Sequence, residues 1–299
     1  MFPIHFIVDA FGFHKQVFFY EGLYFAIAIL VGFFVAKKNI PKSGIASDDF
    51  YQLLMVALCA GILGGRMFHQ FFYESPFGFE NVVRIFQVWK GGLSITGAVV
   101  LGPLFTYLYC RYRKYDFWKL FALVVPAIIL SQAVGRVGCF LNGDAHGTKT
   151  ESVFGVEFPR YGYLINTGEV YEHPEKSSDA WEYSFENDWV QNDSVKSVAL
   201  HPSQLYEAIA DLLLFFVLTV LLRGRLKTDG SYTIVPLVYV GGYAFIRFLL
   251  EFVRADRLMQ GSDVLSNMQM VLLACVLCCS VFVVLVGKGK MNIGNSKNK

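Results

Sequence analysis

Long apolar stretches alternate with shorter polar connections along almost the whole chain. A helix needs about 20 apolar residues to cross roughly 30 Å of hydrocarbon, and stretches of that kind occur at about seven places. They lie near residues 18–36, 50–73, 92–109, 120–141, 204–222, 231–253 and 267–286. This pattern predicts about seven transmembrane helices, of which the third is short and rich in glycine.

The composition supports a membrane protein and argues against several other classes. Hydrophobic residues make up 55% of the chain and charged residues 17%, which is too apolar for a soluble domain of 299 residues. The net charge is only +2, so we expect no nucleic-acid partner. The cysteines lie in or beside the predicted spans, so no disulfide framework is expected: Cys59, Cys110, Cys139, Cys275, Cys278 and Cys279.

The positions of Lys and Arg predict the orientation in the membrane. Basic residues cluster after the first, third and fifth spans and in the tail, and basic residues in short loops stay on the cytoplasmic side. The N-terminus is therefore predicted outside and the tail inside. The expected fold is an all-α membrane protein, a bundle of about seven transmembrane helices with a small external head. Residues 1–142 would hold helices 1–4, residues 143–202 the head, and residues 203–299 helices 5–7 and the tail.

Three arginines, Arg66, Arg136 and Arg247, fall inside apolar spans, where an unpaired charge is costly. Under the predicted orientation all three lie roughly 8 to 10 Å from the external ends of their helices. Glutamates occupy the same half of the first, fifth and sixth spans: Glu21, Glu207 and Glu251. The arginines could reach outward or pair with these glutamates to hold the bundle together. They could also bind an anionic headgroup, because Arg grips phosphate with two parallel hydrogen bonds, and we favour this function.

Three polar motifs interrupt the apolar pattern. GRVGCFLNGDAHG at residues 135–147 ends the fourth span and opens the head. HPSQLYEA at residues 201–208 begins the fifth span, and its Gln204 and Glu207 share one helix face. The third motif, KGGLSITGAVVLG, starts at Lys90 and leads into the third span. Glycines allow close approach of backbone or ligand, and a helix that breaks near water can present polar groups to a substrate.

Together these motifs resemble the prolipoprotein diacylglyceryl transferase family, over almost the whole chain. The family signature G-R-x-G-x-F-x-N-G-[ED]-x-x-G is matched by Gly135, Arg136, Gly138, Phe140, Asn142, Gly143, Asp144 and Gly147. The resemblance extends to HPSQLYE, to GGR at residues 64–66 and to GGLS at residues 91–94. It also includes the arrangement Y-x3-R-x3-E-x2-R at Tyr243, Arg247, Glu251 and Arg254.

The resemblance implies transfer of the diacylglyceryl group from phosphatidylglycerol to the lipobox cysteine thiol of preprolipoproteins. The products would be a thioether-linked lipid and glycerol 1-phosphate. The implied place is the bacterial inner membrane, with the head in the periplasm and the tail in the cytoplasm. The implied partners are phosphatidylglycerol, preprolipoprotein signal peptides with a lipobox cysteine, and membrane lipids. No cofactor and no metal are expected, since His146, Asp144 and His201 lack a dependable ligand spacing.

Roles can be carried over to particular residues. Arg136 and Arg247 are expected to stabilise the leaving phosphate, and His201 is a candidate base. His146 could instead be the base. Alternatively, the positive field of the arginines could lower the thiol pKa so that no dedicated base is needed, which we favour. The expected substrate-binding residues are Arg66, Asn142, Asp144, Gly147, Gln204, Glu207, Tyr243, Glu251 and Tyr20.

The chain departs from the family pattern at a few positions. Thr96 stands where many members have His, Cys139 stands where some have Asn, and Asp144 replaces the more usual Glu. These differences leave open a paralogue that keeps the fold and has lost activity. A transporter or lipid-binding membrane protein that uses the same charged layer is the alternative from another class.

Overall fold

The protein is mainly helical in the computed structural model, which describes residues 4–10, 13–18, 20–40, 45–72, 85–86, 94–160, 162–164, 170–171, 177–228, 231–257 and 265–288. Within these residues there are eight helices. They are α1 (Tyr20–Asn39), α2 (Ser47–Phe72), α3 (Ile95–Arg113), α4 (Phe117–Asn142), α5 (Asp179–Glu186), α6 (Ser203–Thr228), α7 (Ile234–Leu250) and α8 (Asn267–Gly287).

Four of these helices, α2, α4, α6 and α8, are long and apolar enough to cross a membrane, and α7 is a shorter apolar helix. The predicted helical class is therefore confirmed, and the chain is a multi-pass membrane protein. The count of about seven spans and the position of the head outside the membrane stay predictions.

A small sheet accompanies the helices, and the prediction of an all-α fold did not include it. Its strands are β1 (Ile4–Ala10), β2 (Phe13–Phe18), β3 (Gly162–Leu164) and β4 (Val170–Tyr171), in the order β2-β1-β3-β4. β1 and β2 form an antiparallel hairpin, and β1 pairs with β3 in parallel. Neither β1 nor β2 shows the regular alternation of polar and apolar residues that indicates a strand, so the hairpin was not predicted before the first span.

The chain forms two compact units, one of residues 1–36 and 125–292 and the other of residues 37–124 and 293–299. In the second unit, α2 and α3 pack at very close range. A Cβ atom added to Gly64 would lie 2.5 Å from the carbonyl oxygen of Gly97, so the helix backbones touch there. Small residues allow this approach, which is how helices commonly associate in membranes.

In the first unit, close packing brings the polar faces of α4, α6 and α7 together. A Cβ added to Gly242 of α7 would lie 2.9 Å from Leu214 of α6, and one added to Gly241 would lie 3.0 Å from Cys279 of α8. On α4, Gly138 lies against the Tyr24 ring of α1. Glycines at these contacts leave no room for side chains between the helices.

Residues 143–202, the predicted head, lie between the end of α4 and the start of α6 in the first unit. Their core contains Phe158, Ala180 and Leu200, all fully buried. Ser178 caps the N-terminus of α5 by accepting a hydrogen bond from the Trp181 amide. The domain boundaries at residues 142 and 202 stay a prediction.

Candidate active site

Arg136, Glu207 and Tyr243 meet in the first unit, one from each of α4, α6 and α7. The Nε atom of Arg136 lies 3.0 Å from Oε1 of Glu207, and the Tyr243 hydroxyl donates to the same oxygen at 3.0 Å. The Glu207 side chain is 1% exposed, whereas that of Arg136 is 25% exposed. Glu207 therefore binds the Nε side of the guanidinium, and the other N–H donors of Arg136 can still bind an anion.

A second polar layer lies one helical turn away, formed by Gln132, Asp211 and Tyr239. Each is four residues from a member of the first layer, a spacing that puts two side chains on one helix face. The Tyr239 hydroxyl donates to Oε1 of Gln132 at 3.0 Å. Asp211 is fully buried, and its charge lies close enough to interact with Glu207 and Arg136. This layer was not predicted from the sequence, although Asp211 is an acidic residue inside an apolar span, one turn after Glu207.

Arg247 forms the predicted pair with Glu251 on the same face of α7 and the turn that follows. Nη2 of Arg247 lies 3.2 Å from Oε2 of Glu251, and both side chains are largely buried. The hydroxyl of Ser266 lies 3.5 Å from the other carboxylate oxygen. Nη1 of Arg247 is buried and has no hydrogen-bond partner within the part of the chain that the structure describes. This donor is available to an anion.

Arg254 contributes a third guanidinium just after α7. Its Nε and Nη2 atoms donate to the two carboxylate oxygens of Asp256 at 2.8 and 2.6 Å. Burial by itself would raise the pKa of Asp256, but the hydrogen bonds and charge of Arg254 outweigh it and hold that pKa below its ordinary value. Arg254 interacts electrostatically with Arg136, and Asp256 with Arg247. Three guanidiniums therefore share one region of the first unit.

The signature motif places polar groups beside these arginines. Gln204 is fully buried and donates from Nε2 to the backbone oxygen of Asp144 at 2.5 Å. Among the described residues, Oε1 of Gln204 and Oδ1 of Asn142 have no hydrogen-bond partner. The thiol of Cys139 interacts with both Asp144 and Arg136. The motif thus presents unused acceptors that suit hydroxyl groups.

Gly147 lies where three chain segments touch. Its amide donates to the backbone oxygen of His201 at 2.8 Å, and the Thr148 amide donates to that of Val253 at 2.8 Å. A Cβ on Gly147 would lie 2.5 Å from the Val253 oxygen, so a larger residue does not fit. The glycine ties the end of α4 to the start of α6 and to the segment after α7. Its expected contact with substrate stays a prediction.

The two candidate histidine bases have other neighbours. Nδ1 of His201 lies 3.4 Å from the Tyr206 hydroxyl. His146 is buried, with Nδ1 3.0 Å from the Gly147 oxygen and its ring 5.0 Å from the Tyr183 ring. Within the described residues, neither ring has a hydrogen bond or ion pair with an arginine. A role for His201 as the base stays a prediction.

The remaining residues singled out in the sequence belong to α1, α2 and α3. Arg66 is 2% exposed on α2 and belongs to the second compact unit. Thr96 is exposed near the start of α3. Tyr20 begins α1, and its side chain, like that of Glu21, lies outside the described residues. The expected contacts of Arg66 and Tyr20 with substrate stay predictions.

The family model described as prolipoprotein diacylglyceryl transferase matches residues 10–286. The chain belongs to this family. A relative from Clostridium kluyveri is 30% identical over 291 residues, which is 96% of this chain and 98% of the relative. A relative from Clostridium botulinum strain Langeland is 29% identical over 242 residues, 81% of this chain and 82% of the relative. Both relatives are named phosphatidylglycerol–prolipoprotein diacylglyceryl transferase.

Membership of the prolipoprotein diacylglyceryl transferase family confirms the resemblance that the sequence motifs indicated. The chain is therefore a transferase. Within the described residues, no three or more His, Cys, Asp or Glu side chains are grouped so that they could hold a metal ion. The groups that this family member brings together are the guanidiniums, the carboxylates that hold them, and amide and hydroxyl groups beside them.

Proposed function

We propose that the chain transfers the diacylglyceryl group of phosphatidylglycerol to the lipobox cysteine thiol of preprolipoproteins. The products are a thioether-linked lipid and glycerol 1-phosphate, as in the first step of bacterial lipoprotein maturation. The observation that carries this proposal is the shared region of Arg136, Arg247 and Arg254 in a chain whose relatives bear the transferase name.

The reaction needs stabilisation of negative charge at a phosphate. The cysteine sulfur forms a bond to the glycerol carbon of the lipid, and the bond from that carbon to the phosphate oxygen breaks. The electron pair stays on the phosphate, and the thiol proton passes to a base or to water. Donors fixed in a site that excludes water stabilise such developing charge most strongly, and Arg136 and Arg247 are placed to supply them.

The carboxylates fix the arginines before the lipid arrives. Glu207 binds Arg136 through Nε, and Glu251 binds Arg247 through Nη2. A guanidinium has five N–H donors, so each arginine keeps donors for phosphate while one edge is held. Arg254 adds positive charge to the same region. The pairs thus act as supports for the arginines, and Tyr243 supports Glu207 in turn.

The headgroup of phosphatidylglycerol carries two free hydroxyl groups that need acceptors. Oε1 of Gln204 and Oδ1 of Asn142 are buried acceptors without partners among the described residues. Asp144 and Gly147 would line the same part of the site. We assign these residues to recognition of the glycerol headgroup, and Arg66 and Tyr20 to contacts with the lipid or the acceptor peptide.

Activation of the thiol follows from the same charges. The guanidiniums of this region favour the thiolate over the thiol. The positions of His201 and His146 beside Tyr206 and Tyr183 support this electrostatic route over a histidine base. His201 then contributes through its backbone, which pairs with residues 147 and 148.

The proposed topology is about seven spans in the bacterial inner membrane, with the N-terminus in the periplasm and the C-terminus in the cytoplasm. In this proposal residues 143–202 form a periplasmic head, residues 1–142 hold helices 1–4, and residues 203–299 hold helices 5–7 and the cytoplasmic tail. The four long apolar helices and the basic connections support this arrangement. Phosphatidylglycerol then enters from the bilayer, and the signal peptide of the preprolipoprotein reaches the site from the side or from outside.

A transfer assay tests the function. Purified protein is incubated with phosphatidylglycerol labelled in its acyl chains and a lipobox peptide, and the peptide mass is measured. The mass should rise by one diacylglyceryl group, and a peptide with Ser in place of Cys should stay unmodified. Absence of transfer by folded protein would contradict the proposal and favour the inactive paralogue.

A further inference from the structure

Asp211 is a buried acidic residue that the mechanism above does not use. It is 0% exposed, and neither carboxylate oxygen has a hydrogen-bond partner among the residues that the structure describes. An ionised carboxylate without hydrogen bonds or a counter-ion is very costly inside a protein or a membrane. Asp211 must therefore be paired or neutral.

The nearest positive charge is already used by another carboxylate. Arg136 binds Glu207 through Nε, and Glu207 also accepts from the Tyr243 hydroxyl. Two carboxyl groups thus face one guanidinium, and one bound proton makes Arg136, Glu207 and Asp211 together electrically neutral. Two donors stabilise the anion of Glu207, whereas Asp211 has none among the described residues. The proton therefore belongs on Asp211 rather than on Glu207.

The remaining neighbours do not change this balance. The titratable or charged groups that interact with Asp211 among the described residues are Glu207 on its own helix, Arg136 on α4 and Tyr239 on α7, while Tyr243 on α7 contacts Glu207. The Tyr239 hydroxyl donates to Gln132 and Tyr243 donates to Glu207, so neither proton is directed to Asp211. Arg136 is the one cation of this set.

We propose that Asp211 holds a proton in the resting enzyme and thereby keeps the positive charge of Arg136 available to the lipid phosphate. The proposal rests on the function proposed above. Loss of this proton would add a second negative charge one helical turn from Glu207, where it would offset the guanidinium and repel phosphate. Asp211 acts through Arg136 and is a positioning residue. Phosphatidylglycerol should therefore bind more weakly as pH rises.

Infrared difference spectroscopy tests the protonation directly. A neutral carboxylic acid has a C=O stretching band that a carboxylate lacks, and this band shifts in D₂O. At neutral pH, the wild-type spectrum minus the Asp211→Asn spectrum should contain this band. The wild-type spectrum minus the Thr219→Val spectrum should not contain it. Thr219 is a suitable control because it lies on α6, two turns away, with a buried hydroxyl. A missing band would overturn the proposal. In wild-type protein alone, the band should disappear as pH rises.

A binding measurement tests the link to the lipid. Isothermal titration calorimetry with short-chain phosphatidylglycerol reports Kd without turnover, so it does not depend on the transfer reaction. The Kd of the wild-type and Thr219→Val proteins should rise about tenfold or more as the infrared band is lost, while that of Asp211→Asn stays constant. An equal rise of Kd in Asp211→Asn would overturn the proposal. Absence of lipid transfer with this binding pattern intact would instead contradict the proposed function alone.

Discussion

Individual polar side chains decide what this membrane site can bind. Arg136 and Arg247 are each held along one edge by a glutamate, and Nη1 of Arg247 is left without a partner among the described residues. Nearby, Gln204 and Asn142 each bury an oxygen that accepts no hydrogen bond there. A free donor and free acceptors in the same unit suit a ligand that carries both a phosphate and hydroxyl groups.

Replacement of Asn142 by Ala should weaken recognition of the glycerol headgroup. The Oδ1 acceptor is lost, and a hydrogen bond to a buried partner contributes about 1 to 3 kcal/mol, so we expect KM for phosphatidylglycerol to rise about five- to a hundredfold. The matched control is Asn187→Ala, which removes an exposed amide from the end of α5. Steady-state kinetics at varied lipid concentration will measure both. An unchanged KM in Asn142→Ala would show that Asn142 does not contact the headgroup.

The sequence revealed part of this chemistry at the residue scale. Arg136, Glu207, Arg247 and Glu251 were found because a charge inside an apolar span is unusual. Asp211 stands out by the same criterion, but its contacts to residues on two other helices depend on how those helices pack. The position of the His201 ring beside the Tyr206 hydroxyl also depends on packing, which the linear sequence does not give.

Helices α4, α6 and α7 position the site as a group. Side chains four residues apart on each helix build two layers, Arg136 with Glu207 and Tyr243, then Gln132 with Asp211 and Tyr239. The spans predicted from apolar length agree with α4 and α7 to within a few residues at each end, whereas α6 continues beyond its predicted end to Thr228. Hairpin β1–β2 was missed because neither strand shows regular alternation of polar and apolar residues.

Gly147 should be essential for holding these elements together. In Gly147→Ala the new Cβ would lie 2.5 Å from the Val253 oxygen and 2.6 Å from Cβ of His201, so the segments must move apart. We expect a lower Tm and a loss of transfer activity.

Gly224→Ala is the control, since an added Cβ at that position has no atom within 4 Å. Ala is the better helix former by about 1 kcal/mol, so this variant should keep its Tm or gain slightly. Thermal unfolding in detergent will measure both proteins. Equal stability of the two variants would show that the close approach at Gly147 is not required.

At the scale of the whole molecule, apolar length and the placement of basic residues predict a multi-pass membrane protein, and four long apolar helices confirm that class. The number of spans and the orientation follow from the charge pattern and stay predictions. The charged residues of the first unit lie on helices that are far apart in sequence, from residue 136 to residue 254. Close packing at Gly241 and Gly242 of α7 and at Gly147 brings them together.

The central claim is that Arg136 and Arg247 hold one lipid phosphate during transfer. The most direct measurement is kcat/KM for transfer from phosphatidylglycerol to a lipobox peptide by Arg136→Ala and Arg247→Ala, with Arg223→Ala as the control. Arg223 is exposed near the end of α6 and away from the site. Each site variant should lose about a hundredfold or more, as expected when a donor to developing charge is removed, while the control keeps wild-type activity. Near-normal turnover by both site variants would contradict the claim.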